Sequence, residues 1–64
     1  MVNNFKKARL IADMTQRELA DRLNVSAVTI HNWESGRNLP KAKRLNSIAC
    51  VLNTAVANLL GDDG

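Results

Sequence analysis

Apolar residues recur along this chain at intervals of three and four, the period of a helix with one buried face. Phe5, Ala8, Arg9 and Ala12 keep that spacing, joined by Leu10 and Met14, and Asn3 or Asn4 stands where a cap is needed. A first helix is predicted over roughly residues 4–13, with Lys6, Lys7 and Asp13 on its wet side. Thr15-Gln16-Arg17-Glu18 then reads as a capping box, in which the threonine hydroxyl accepts from the third amide and the glutamate reaches back. Leu19, Ala20 and Leu23 form the buried stripe of a second helix, and Asn24 ends it, because asparagine tolerates a left-handed backbone.

Ser26 is an N-cap for a third helix that begins near Ala27, runs through Ile30 and Trp33, and stops at Ser35-Gly36. Arg37-Asn38-Leu39-Pro40 forms a loop. Pro40 leads into a fourth helix over roughly 41–52, with Ala42, Leu45, Ile48, Ala49 and Leu52 predicted to face inward. Asn53 breaks it, and a short fifth helix carries Val56, Leu59 and Leu60 before Gly61. The pattern predicts an all-α chain with a helix-turn-helix at residues 16–35, in which small Ala20 sits where two helices approach closely.

The outward side of the third helix has its own logic. Successive residues turn by roughly 100°, so Val28 lies about 160° from Ile30 and cannot share its core. Ala27 pairs with His31, and Val28 with Asn32, four positions apart on the far side. Such a strip suits the major groove. Ala27 and Val28 would meet thymine methyls, Asn32 an adenine edge or a phosphate, and His31 a guanine acceptor or a phosphate. Thr29 points between the two faces, toward a phosphate.

The charge distribution favours such a partner. Of 64 residues, Asp62 and Asp63 lie in a terminal Gly-Asp-Asp-Gly, so residues 1–61 set nine cations against four acids. Arg37, Asn38 and Lys41, with Lys43 close by, surround a loop and a helix start and are candidate phosphate contacts. Gln16, with Arg17 beside it, opens the second helix, where free amides and the helix dipole favour a phosphate. Lys6, Lys7, Arg22 and Arg44 read as solvated charges.

Other chemistry is poorly provided for. One cysteine, Cys50, forms no internal disulfide and reads as a small apolar residue in a helix, consistent with a reducing cytoplasm. One histidine and no acidic cluster at ligand spacing set metal binding aside. No nucleophile–base pair, phosphate-binding glycine loop or paired carboxylates can be assembled, so neither an enzyme nor a cofactor is expected. No apolar run approaches the ~18 residues of a membrane span and no signal-peptide pattern opens the chain, so a cytoplasmic location is expected.

Thr15-Gln16-x-Glu18-Leu19-Ala20, Val25-Ser26, Thr29-Ile30, Trp33-Glu34-Ser35-Gly36-Arg37, Pro40, Leu45, Ile48-Ala49, Leu52 and Leu59-Leu60 together resemble the lambda-type phage repressor and Cro family, also called the Xre family. The resemblance covers nearly the whole chain. It implies a compact five-helix bundle over residues 1–61 that binds palindromic operator DNA as a dimer, with 62–64 an acidic tail or the start of a linker. It implies further that Gln16 clamps the DNA backbone and that Arg9 and Glu34 form a partly buried ion pair, with Trp33 in the core. Asn24 and Asn53 stand where that family usually has glycine, and Ala55 where it favours a serine cap, so the fifth helix is expected to fray or to shift its cap to Thr54. Dimer contacts are expected from Val56, Leu59 and Leu60 or from the Leu39-Pro40 loop, though those leucines suit the core equally. The Gly61 to Gly64 ending suggests a linker start and hence a truncated repressor, with a Cro-like protein or an antitoxin as the other members of the class. A second class keeps the fold but binds a protein, such as a toxin or an antirepressor.

Overall fold

The computed structural model describes residues 4–60, which fold into five α-helices without a strand. These are α1 (Phe5–Ile11), α2 (Gln16–Leu23), α3 (Ala27–Ser35), α4 (Ala42–Val51) and α5 (Val56–Leu60). The expected Asn3 cap, Gly61 and the 62–64 tail lie outside the described residues.

Four helix ends share one device. Asp13, Asn24, Gly36 and Asn53 all take left-handed backbone angles, with φ of 61°, 62°, 81° and 55°. In each case the next amide reaches back five residues: Met14 to the Arg9 carbonyl, Val25 to Ala20, Arg37 to Asn32, and Thr54 to Ala49. This is the Schellman closure, which satisfies carbonyls that a helix end leaves unpaired. Only one of the four positions is a glycine. Asparagine and aspartate fill the others because their short polar side chains tolerate this region.

At the N-termini, Thr15 accepts from the Glu18 amide while Glu18 accepts from the Thr15 amide, completing the capping box. Ser26 accepts from the Thr29 amide. Asn4 occupies the cap position of α1 but makes no side-chain cap; its side-chain amide donates to the Asn58 carbonyl and its backbone amide to Leu59, tying α1 to α5. At the start of α5, the Ala55 carbonyl accepts from the Asn58 and Leu59 amides, and Thr54 Oγ1 accepts from the Asn58 side chain.

Phe5, Leu19, Ala20, Leu23, Ile30, Trp33, Ile48, Ala49, Leu52 and Leu59 form one continuous core. α2 and α3 share its most extensive interface, and Ala20 is small enough to let them close. Ala42, expected inward, lies on the surface, as do two further apolar residues of the helical pattern, Leu10 and Leu60. Leu10 is 57% exposed beside the exposed Ile11, because the inner side of α1 is taken by Phe5 and Arg9. Ala42 is exposed in the first turn of α4, ahead of the turns that reach the core, and Leu60 is exposed one position beyond buried Leu59. Leu59 itself is fully buried and so contributes to the core. Cys50 is an exposed free thiol on α4. Among the described residues, no helix is long and apolar enough to cross a membrane.

Candidate nucleic-acid interface

The site is built outward from the buried side of α3. Ile30 is 1% exposed and Trp33 is buried beside it, which fixes the rotation of the helix against α2. Val28 then faces solvent at 67% exposure, and His31 is exposed one turn later. The expected strip is narrower than its four members. Ala27 is half-buried and packs against the core, and Asn32 is half-buried at the other margin, its carbonyl taken by the Arg37 amide and the Ser35 hydroxyl. Thr29 is half-buried, and its hydroxyl lies 3.0 Å from that of Ser26, so it is already engaged at the cap.

An α-helix with its side chains is about 10–12 Å across, which matches the ~12 Å width of a B-DNA major groove. The helix carries one formal charge, Glu34, and that charge is spent internally. Arg9, only 6% exposed, donates from Nε to Glu34 Oε2 at 2.6 Å and from Nη2 to Oε1 at 3.3 Å. Its Nη1 donates to the Met14 carbonyl at 2.7 Å. Gln16 completes the carboxylate's shell, its amide donating to Glu34 Oε1 at 3.0 Å.

A buried ion pair is tolerable only when its remaining hydrogen-bonding positions are filled, because desolvation otherwise exceeds the attraction. Here they are filled: no buried side-chain nitrogen or oxygen among the described residues lacks a partner. The arrangement links α1, the α1–α2 loop, α2 and α3 through three side chains, Arg9, Gln16 and Glu34. It also fixes Gln16. One of its amide hydrogens is committed to Glu34, leaving the second as its free donor at the head of α2.

Arg17 is exposed next to Gln16. Beyond the other end of α3, Arg37, Asn38, Lys41 and Lys43 are all exposed. Lys41 and Lys43 line an open groove between the Leu39-Pro40 loop and α4, with Trp33 as part of its wall. Arg37, Lys41 and Lys43 thus follow α3 along the chain, while the Gln16–Glu34 bond sets the N-terminus of α2 against the last turn of α3.

Two features are absent from the sequence reading. Arg44 is half-buried and donates from Nη1 to the Leu23 carbonyl at 2.9 Å, so it is not a freely solvated charge. The contact joins residues 21 positions apart, and no local pattern signals it. The Gln16–Glu34 bond spans 18 positions and is equally invisible to periodicity. Among the described residues there is no group of His, Cys, Asp or Glu that could hold a metal ion.

Comparison with known proteins agrees with this architecture. The chain is 39% identical over 61 residues to the 26 kDa repressor protein of Escherichia phage HK022, covering 91% of this chain and 26% of the repressor. It is 30% identical over 59 residues to the HTH-type transcriptional activator BcrR of Enterococcus faecalis, covering 92% of this chain and 29% of the activator. The chain thus spans between a quarter and a third of the length of these curated relatives. Among solved structures, "a putative DNA-binding protein from Bacteroides fragilis" superposes with a TM-score of 0.85 at 29% identity, over 91% of this chain and 94% of that one. The family model for Helix-turn-helix matches residues 5–59, nearly everything the structure describes, and the chain belongs to that family.

Proposed function

We propose that this chain is a sequence-specific double-stranded DNA-binding domain of a transcription regulator, a phage-type repressor that seats α3 in the major groove of a palindromic operator as a homodimer. The observation that carries the reading is the outer face of α3. Val28 and His31 stand in solvent on a helix that is capped at both ends and held by Ile30 and Trp33, with exposed Arg37, Asn38, Lys41 and Lys43 beside it. Relatives that are a phage repressor and a transcriptional activator support the regulatory role.

In this reading Val28 meets a thymine methyl, with Ala27 at the edge of the contact, while His31 and Asn32 donate to base edges. Gln16, through its free amide hydrogen, and Arg17 hold a phosphate at the head of α2. Arg37, Asn38, Lys41 and Lys43 hold a second stretch of backbone, with Thr29 the least available member because its hydroxyl is bonded to Ser26. Of the residues expected at a dimer contact, Leu39, 52% exposed, and Leu60, 43% exposed, are the two on the surface, whereas Leu59 and Pro40 are buried and Val56 is half-buried.

Selection of binding sites from a random duplex pool tests all of this together. Recovery of a two-fold symmetric motif with half-sites about one helical turn apart is expected. Failure to enrich any sequence at low salt, or enrichment that survives replacement of Val28, His31 and Asn32 together, overturns the reading. Retention of a protein partner by that triple variant, with no duplex ever bound, would identify an interaction module.

A further inference from the structure

We infer that Arg44 is a positioning residue for the reading helix, acting through the turn and not on phosphate; this rests on the DNA reading above. Leu23 is the last residue of α2, and three residues separate it from the start of α3 at Ala27. Asn24 in that short link is left-handed, and its amide returns to the Ala20 and Asp21 carbonyls, while the Val25 amide returns to Ala20. The Leu23 carbonyl is among those the helix itself leaves unpaired, and Arg44 takes it at 2.9 Å. A guanidinium here meets the negative end of the α2 dipole, in a charge-assisted bond that is partly shielded from water.

The other end of the strut is fixed. Arg44 lies on α4, which is held to the core by Ile48 and Ala49. A link from a fixed helix to the carbonyl just before the turn restricts where Ser26 and Ala27 can sit. The depth of Val28 in a groove follows from that. Lys41 and Lys43, three positions and one position earlier, differ: both are exposed, as phosphate contacts should be.

Titrating three proteins onto the selected operator and onto a scrambled duplex, across a range of salt, separates the two roles. The unaltered chain should discriminate between the duplexes, and a chain that does not discriminate removes both the DNA reading and this inference. Arg44→Gln, too short to reach Leu23, should lose roughly three- to tenfold in discrimination while its salt slope holds. Arg44→Lys, which keeps a charged donor, should recover most of that loss. A salt slope that falls by about one with discrimination intact would make Arg44 a direct phosphate contact and overturn the inference. A measurement on the unaltered chain covers the case in which Arg44→Gln does not fold. On adding operator, the guanidinium resonances of Arg37 should move in NMR spectra while those of Arg44 hold, and a shift of both would overturn the inference.

Discussion

α2 and α3 each begin at a hydroxyl cap, Thr15 and Ser26, each end at a left-handed residue, Asn24 and Gly36, and each bury apolar side chains against the other. Their outer faces differ. α2 shows solvent Arg17, Glu18, Asp21 and Arg22, all charged. α3 shows Val28, His31 and Ser35, with half-buried Ala27, Thr29 and Asn32 at the margins and its lone carboxylate turned inward to Arg9 and Gln16. Beyond Arg17 at its head, the α2 face carries the mixed charges of a solvated helix surface. In the reading proposed above, this mixture of methyl, imidazole and amide on α3 meets base edges, which present methyls, donors and acceptors in a groove.

The largest way to break this comparison is to strand the charge that keeps α3 neutral outside. Arg9→Met leaves Glu34 buried with Gln16 as its remaining partner and should cost about 3–5 kcal/mol in urea unfolding. Arg9→Met combined with Glu34→Met should cost less than the sum of the single changes, since no charge is then stranded. Additive losses would mean that the two side chains act independently despite their geometry. Next in size is the inner face. Ile30→Ala removes a fully buried side chain and should cost about 2–5 kcal/mol. An unfolding midpoint close to that of the unaltered chain would show that α3 is not anchored as described. Thr15→Ala, which deletes half of the capping box on α2, should cost about 1 kcal/mol in the same measurement, and Thr15→Ser should restore most of it.

How much of this is legible in the sequence depends on the range of the interaction. Capping chemistry is local, so Thr15, Glu18 and Ser26 declare themselves, as do Asn24, Gly36 and Asn53 at helix ends. Asp13 does not, although it takes the same left-handed geometry, because an aspartate near a helix end reads equally well as a solvated charge. Periodicity assigns Ile30, Trp33 and Ile48 inward correctly but over-counts at Ala42 and includes exposed Leu10, since it marks every apolar position without knowing how wide the neighbouring helix is; Leu59 and Leu60, which it leaves between core and dimer contact, divide into one buried and one exposed. Helix length is overestimated for α1 for the same reason: the spacing continues to Ala12, but the closure at Asp13 ends the helix at Ile11. Links across 18 to 25 positions, Gln16 to Glu34, Leu23 to Arg44 and Arg9 to Glu34, belong to the tertiary packing. Only family resemblance could point to the last of these. At the candidate site, the sequence yields the opposition of Val28 and Ile30, a matter of angle, but it holds nothing that says what Val28 touches.

The smallest expected effect is the most informative about that contact. Val28→Ala should leave unfolding within about 0.5 kcal/mol of the unaltered chain, because the side chain gives up little packing at 67% exposure. If the valine meets a thymine methyl, the same change should reduce preference at that base pair by about 1 kcal/mol. The methyl can also be removed from the other side, by placing uracil for thymine at each position of the selected operator in turn. Uracil keeps every hydrogen-bonding group of thymine, so a loss at one position reports the methyl alone. The unaltered chain should feel that loss at the position next to Val28, and the Val28→Ala protein should feel much less of it, since one partner of the contact is already gone. Equal sensitivity in both proteins would separate Val28 from the thymine and leave the outer face of α3 without an assigned reader of methyl groups.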